Sequence, residues 1–260
     1  MRNLYDHHFT LKPGTRVYVP TDFGRDKGDG IKAAIESLWK PPANYFHLLG
    51  GGHVAAVKQH RNAVWLASLD LQRFFDQITR TKVHRALKAI GLPHEEAWEM
   101  ACDSTVDKAP PKRQFSLPFG FVQSPIVASV VLAHSALGVV IRKLVNDGLT
   151  VTVYVDDITI SGLDRNAVEC AVTRLEAGAE LAGFAFNPAK TQPPNSKVTS
   201  FNIEFGSGGM KVLQERMAEF EAALHLANEH RIGGILGYVG TVNPSQADKL
   251  AEGLPDLDQT

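Results

Sequence analysis

The stretch Val151–Gly162, VTVYVDDITISG, constrains the fold more than any other part of the chain. Val151, Val153 and Val155 share one parity of an extended chain, Asp156 and Asp157 follow, and Ile158, Thr159 and Ile160 resume a β-favouring run. A β-branched run bounded by Asn146-Asp147-Gly148 and by Gly162 reads as a hairpin with two acids at its tip. Adjacent carboxylates repel, and with no Gly or Asn between them this tip is built to hold charge in place. That suits a divalent cation with oxygen ligands.

At 260 residues the chain is one large domain or two small ones, with enough length for a real core. Its 44% hydrophobic and 21% charged content is that of a soluble globular protein. No apolar run approaches the ~20 residues of a membrane span, and MRNLYDHHFT lacks an apolar signal core. A cytoplasmic location is the expectation. Cys102 and Cys170 fall in helical patterns and read as buried thiols of a reducing compartment.

The net charge of −1 hides an asymmetry. Residues 1–90 carry 14 Lys and Arg against 7 Asp and Glu, net +7, whereas residues 91–260 carry 13 against 21, net −8. A basic front section is what a phosphate-gripping surface needs, and chance clustering of solvated charge is the bland alternative.

Along the chain, residues 1–62 read as irregular: a short strand over Arg16–Val19, a Gly/Asp-rich loop, a short helix over Ile31–Trp39 and a helical pattern over His53–His60. Ala63–Asp70 is a strand ending on an acid, followed by a short turn with Phe74 and Phe75 and by helices over 83–90 and 94–106. Lys108–Gln114 is a polar loop. Ser124-Pro125 opens one long apolar helix to about Val145. After the hairpin come a helix over 166–183, a strand and loop in FAFNPAKTQ, a hairpin over 198–212, an amphipathic helix marked by Leu213, Met217, Phe220 and Leu224, and shorter helices over 232–239 and 245–250. The order strand, helices, hairpin, helix, strand suits a split β-α-β unit, an antiparallel sheet with helices on one face. It would bring Asp70 beside Asp156 and Asp157, though 86 residues separate Asp70 from Asp156. Three such carboxylates fit phosphoryl or nucleotidyl transfer, with positioning and charge as the protein's share.

Here the residues resemble a known family. Asp70-Leu71-Gln72-Arg73-Phe74-Phe75-Asp76 is similar to motif A of reverse transcriptases, Leu117–Pro125 (LPFGFVQSP) to motif B and Tyr154-Val155-Asp156-Asp157 to motif C. Asn187-Pro188-Ala189-Lys190-Thr191 resembles motif D, and Phe201–Val212 a motif E hairpin. Arg16–Thr21 resembles the fingers segment of group II intron and retron enzymes; Leu236-Gly237-Tyr238 with Asn243-Pro244 is similar to the short thumb of bacterial relatives.

The resemblance implies an α+β right-hand polymerase. Residues 1–62, with part of 80–115, would form fingers, 63–205 an antiparallel-sheet palm, and 206–260 the end of motif E and a short helical thumb. It implies an RNA-directed DNA polymerase adding dNTPs to a primer 3′-OH with two Mg²⁺ ions, or Mn²⁺ in their place. Asp70 and Asp156 would ligate both metals, with Asp157 auxiliary and the Leu71 carbonyl completing one site. Phe75 would be the steric gate against a ribose 2′-OH. Arg16, with Lys12 or Lys27, would hold the triphosphate, and Pro118 and Gly120 would shape the floor under the nucleotide. Lys190 would protonate or neutralise the pyrophosphate. Phe119 stands where many relatives have Gln, and the thumb helix over 213–230 is acidic (Glu215, Glu219, Glu221, Glu229). With no room for an RNase H, maturase or endonuclease domain, the chain resembles retron and defence-associated enzymes, which work with a dedicated noncoding RNA and oppose phage. Partners implied are template RNA, an RNA–DNA duplex and a protein or second copy on the acidic C-terminal half. The alternatives are a template-independent or protein-primed nucleotidyltransferase, and a catalytically idle RNA-binding scaffold.

The charge split yields a first test. RNA affinity should fall steeply with salt in a filter-binding titration, and a flat response would show that the basic front does not grip phosphates.

Overall fold

A computed structural model of the chain describes residues 3–108, 113–224 and 228–253. In chain order the elements are β1 (Tyr5–Lys12), β2 (Thr15–Pro20), α1 (Asp22–Leu38), a 3-10 turn (Phe46–Leu48), α2 (Gly52–Lys58), β3 (Trp65–Asp70), α3 (Phe74–Gln77), α4 (Arg80–Ala89) and α5 (His94–Asp103). Then follow β4 (Val106–Asp107), β5 (Phe115–Ser116), α6 (Ser124–Ala133), α7 (Ala136–Asn146), β6 (Thr150–Tyr154), β7 (Asp157–Gly162) and α8 (Arg165–Leu181). The chain closes with β8 (Gln192–Asn195), β9 (Lys197–Ser200), β10 (Ile203–Gly206), β11 (Gly209–Val212), α9 (Gln214–Leu224), α10 (Glu229–Val242) and α11 (Pro244–Glu252).

The organising layer is a four-stranded antiparallel sheet in the order β6-β7-β3-β8. The Pro193-Pro194 pair sits in β8, an edge strand, where two missing N–H donors cost the ladder least. Cross-strand register sorts the side chains into two faces. Ala67 lies opposite Ile160 and Leu69 opposite Ile158, and these pair on with Val151 and Val153 of β6. That apolar face packs on α6, α7 and α8 in the main core. On the other face Ser68, Asp70, Thr152, Thr159 and Ser161 are polar and nonetheless buried.

Buried polar groups need partners. His60, fully buried at the end of α2, supplies two: its ring nitrogens lie 2.7 Å from Ser161 Oγ and 2.8 Å from Thr152 Oγ1. This one imidazole clamps β6 to β7. Beyond it, α2, the three-stranded sheet β11-β10-β9 and α9–α11 enclose a second core around Leu66, Phe205, Met217, Phe220 and Val239. The Met217/Phe220/Leu224 stripe is therefore core, and the glutamates of α9 face outward.

Four expectations need correction, and two of them concern glycines. First, residues 1–62 are not irregular. β1 and β2 form a hairpin, and the Gly/Asp-rich segment is the first half of the 17-residue helix α1. Thr21 caps it by accepting from Gly24 N–H at 3.0 Å. A Cβ on Gly24 would lie 2.0 Å from the Leu4 carbonyl, and one on Gly28 2.5 Å from Gln123 Oε1. These glycines admit close neighbours and do not break the helix.

Second, the apolar helix from Ser124 is two helices bent by 70°. Ser135 caps α7 by accepting from Gly138 N–H, and a Cβ on Gly138 would meet the Leu132 carbonyl at 2.2 Å. The Ser-Ala-Leu-Gly run therefore restarts the helix in a new direction. Among the described residues no single helix is long and apolar enough to cross a membrane, and α6 is buried in the core. Third, residues 198–205 are two strands, turned at Phe201 and Asn202, both in the left-handed region. Cys170 is exposed and Cys102 half-buried, contrary to the expected buried pair. The polar loop expected at 108–114 lies mostly outside the described residues, and so do residues 225–227 between α9 and α10.

The clamp has a pH signature. Burial pushes the His60 imidazole down to about 3 from 6.5. Between those values the unfolded chain binds a proton that the folded protein refuses. Its contribution is whole above pH 6.5 and is lost as pH falls, at about 1.4 kcal/mol per pH unit. The stability difference between wild type and His60→Gln should thus shrink by about 2 kcal/mol from pH 6.5 to 5 in urea titrations.

Candidate active site

β3 and β7 run antiparallel with Asp70 directly opposite Asp157, and Asp157 in turn faces Tyr154 of β6. Between Tyr154 and Asp157 the chain turns in two residues, with Val155 in the left-handed region (φ +59°), so Asp156 sits on the tip. Leu71 N–H donates to the Asp156 carbonyl at 2.9 Å, tying the end of β3 to that tip. The expected meeting of Asp70, Asp156 and Asp157 is thereby met in space.

Their electrostatics are unbalanced. Burial, then the Asp70 charge, raises the Asp156 carboxyl above its ordinary value. Burial, then Asp156 and Asp70, pushes Asp157 up to about 7. Lys190 supplies the nearest cation: its ammonium donates to Asp70 Oδ2 at 2.8 Å, and that bond raises its own pKa. The placement of Lys190 is not accidental. Asn187 N–H donates to the Asp70 carbonyl, and Asn187 turns the chain by accepting from Lys190 and Thr191 N–H, so the loop hangs on the strand end it neutralises.

One buried carboxylate, Asp70, and two half-buried ones, Asp156 and Asp157, form a hard-oxygen donor set suited to Mg²⁺ or Mn²⁺. Among the described residues no three His, Cys, Asp or Glu side chains already converge as a metal cage. Mg²⁺ is ordinarily held by one or two carboxylates together with substrate phosphates, so a preformed cage is not required. The donor chemistry fits a divalent cation at Asp70 and Asp156, with Asp157 alongside.

A cavity of about 290 Å³ is lined by Thr10, Gly14, Thr15, Arg16, Arg73, Asp76, Lys108 and Phe119, and none of the three carboxylates lines it. Arg16 comes from β2, and β2 is stitched to the segment after β5: Tyr18 N–H donates to the Phe119 carbonyl at 2.8 Å. Gly120 makes that stitch possible. Its φ is +102°, and a Cβ there would lie 2.2 Å from the Tyr18 carbonyl. Pro118 is buried, and its carbonyl accepts from Ser124 Oγ at 2.7 Å, fixing the start of α6.

Arg73 and Lys108 were not singled out from sequence. Arg73 sits inside the motif A run, and its left-handed φ of +47° turns it toward the cavity's Asp76, 2.9 Å away. Lys108 meets Asp76 at 2.6 Å, with burial lowering its pKa and Asp76 opposing that. Asp76 thus holds two cations in place as well as starting α3. Lys27 points elsewhere, paired with Glu99 and Asp103 at 3.2 and 3.3 Å, and does not join the cavity. Lys12 is close enough to lower Asp156 slightly. Phe75 is buried, and its ring stacks on Phe119 at 4.6 Å with a 24° tilt.

A family model described as "Reverse transcriptase (RNA-dependent DNA polymerase)" matches residues 16–203. The chain belongs to that family. This span runs from β2 through β9 and takes in the segments that resemble motifs A to D, and the α+β right-hand fold is the family's. The chain is 28% identical over 205 residues to "Retron Mx65 reverse transcriptase" of Myxococcus xanthus, covering 70% of this chain and 47% of the relative. It therefore spans about half the length of the curated relative it matches. Similar solved structures include telomerase from Candida albicans with a fragment of telomeric RNA (TM-score 0.49, 11% identity, 88% of this chain, 46% of that one). A foamy viral protease–reverse transcriptase with double-stranded DNA is another (TM-score 0.47, 15% identity, 88% of this chain, 34% of that one).

Gly120 gives the test for this region. Gly120→Ala should cost about 1–3 kcal/mol in thermal or urea unfolding, because strain and overpacking add at one position.

Proposed function

We propose that this chain is an RNA-directed DNA polymerase that extends a primer 3′-OH with dNTPs. The observation that carries the reading is the register of β3 against β7, which sets Asp70 opposite Asp157 and ties Leu71 to Asp156. Two divalent ions, Mg²⁺ or Mn²⁺, held by Asp70 and Asp156 with Asp157 and the Leu71 carbonyl in support, would lower the pKa of the attacking hydroxyl and steady the leaving pyrophosphate. The chain's own share is positioning. Arg16, Arg73 and Lys108 line a cavity of about 290 Å³ and would offer their cationic donors to a triphosphate there. Lys190, already at the carboxylates, is placed to neutralise or protonate the pyrophosphate.

Phe75 acts as the sugar gate. Its stacking on Phe119 braces it from the side where many relatives have Gln, and Pro118 and Gly120 fix the segment beneath. A ribose 2′-OH would have to displace a supported ring.

We infer further that the template is a dedicated noncoding RNA and that the chain acts in the cytoplasm against phage; the likeness to a retron reverse transcriptase supports the retron type. Template RNA, the primer or RNA–DNA duplex and dNTPs are the partners. The outward acidic face of α9 is offered to a protein or a second copy. Untemplated or protein-primed synthesis is the second reading, favoured by Phe119 and by that acidic face, which is poorly suited to a nucleic-acid duplex.

Asp156→Ala should abolish dNTP incorporation while circular dichroism and RNA binding stay as in wild type; retained incorporation would overturn the assignment. Sequencing the products made with and without co-purified RNA separates templated from untemplated synthesis, and no Mg²⁺-dependent incorporation under any condition would leave the idle scaffold.

A further inference from the structure

The tip that carries Asp156 and Asp157 is held in a costly shape. Val155 has φ +59°, and among the described residues it is the one β-branched side chain with a positive φ. Valine is among the residues least suited to that region, where the Cβ crowds the backbone. Such a conformation persists only when its surroundings over-determine it. The turn contains no glycine to relieve it.

The restraint comes from a distant part of the chain. Val155 N–H donates to His47 Nδ1 at 3.0 Å, across 108 residues of sequence. A ring nitrogen that accepts carries no proton, so the other nitrogen of the neutral ring carries it. That nitrogen, Nε2, lies 2.6 Å from Ser129 Oγ in α6, and Ser129 Oγ donates onward to the Pro125 carbonyl at 2.8 Å. Every proton in this relay has one donor and one acceptor. The His47 ring also stands edge-on to Tyr154, 5.8 Å between centroids.

His47 is itself fixed before it reaches the turn. Asn44 accepts from Val153 N–H at 2.8 Å and donates from its side chain to the Val151 carbonyl at 3.2 Å, and Tyr45 bridges Val153. Residues 44–47 thus lie along the free edge of β6, buried through Tyr45, and end at the imidazole. Burial keeps that imidazole neutral at ordinary pH, pushing it down to about 4, which preserves its capacity to accept.

We propose that His47 is a positioning residue: by holding Val155 N–H it sets the turn that aims the Asp156 and Asp157 carboxylates, and through Ser129 it links that turn to the helix that follows the nucleotide-side segment Pro118–Gly120. It touches neither carboxylate. Its effect passes through the backbone of Val155, and it rests on the polymerase reading above.

The test uses His47→Ala, His47→Asn and the double variant His47→Ala/Val155→Gly. Asparagine keeps an acceptor oxygen where Nδ1 lies, and glycine adopts the left-handed turn without crowding. His47→Ala should lower kcat by about tenfold to a hundredfold, the scale for a misplaced catalytic group, with KM for dNTP and RNA affinity changed far less. Amide hydrogen exchange in the peptide spanning Val153–Asp157 should rise. His47→Asn should keep most of the activity, and Val155→Gly should restore much of what His47→Ala loses. Wild-type kcat in His47→Ala, or unchanged exchange over 153–157, would overturn the proposal. So would equal losses in His47→Ala and His47→Asn that Val155→Gly does not relieve. If His47→Ala fails to fold, His47→Asn and the exchange data decide by the same criteria. Exchange reads the hold on the turn even if the wild type incorporates no nucleotide, so failure of the polymerase reading is told apart from failure of this one.

Discussion

Three carboxylates gathered at one end of a sheet repel each other, and burial removes the water that would otherwise screen them. The protein accepts that cost at Asp70, Asp156 and Asp157, and much of the surrounding architecture limits it. The register of β3 on β7 brings the acids together; Leu71 and Asn187 tie the strand end and the Lys190 loop to the same point. Lys190 is the resident counter-charge. Asp70 and Asp156 would hold a divalent cation, and Lys190, bonded to Asp70 Oδ2 at 2.8 Å, would share that oxygen with it.

Around this centre the chain spends its irregular residues where two segments must approach closely. Gly24 and Gly28 let α1 lie on the N-terminal strand region and on Gln123, Gly120 lets β2 lie on the segment before α6, and Gly138 lets α7 fold back under α6. None of these positions is a loop chosen for mobility. Gly24, Gly120 and Gly138 each remove a Cβ from a contact between two backbones, and Gly28 makes room for the Gln123 side chain.

This explains which parts of the fold could be read from the residues. Alternation of apolar and polar side chains reports burial on one face of a strand, so Ala63–Asp70 and Val151–Gly162 were legible. The gathering of the three acids at one end of the sheet followed from motif order. What failed was glycine in DFGRDKGDG and in the Ser135–Gly138 run, because the same residue marks either a chain break or a tight tertiary contact, and only the partner distinguishes them. Arg73 and Lys108 were missed for a related reason: their role depends on Asp76, which gathers two cations that sequence places 35 residues apart. His47 and His60 carried no signal of their own, since a lone histidine states nothing about what it will bond.

One more contact carries a consequence for the far end of the molecule. Gln246 of α11 accepts from Val212 N–H at 2.8 Å and donates to the Val212 carbonyl at 2.9 Å, while Asn243 donates to the Met210 carbonyl. Side-chain amides here complete the outer edge of β11 much as a neighbouring strand would. An uncovered strand edge is a template for pairing with another molecule. The C-terminal helices therefore act as a sealing strip, and their docking decides whether this small sheet ends in the protein or invites a stranger's backbone.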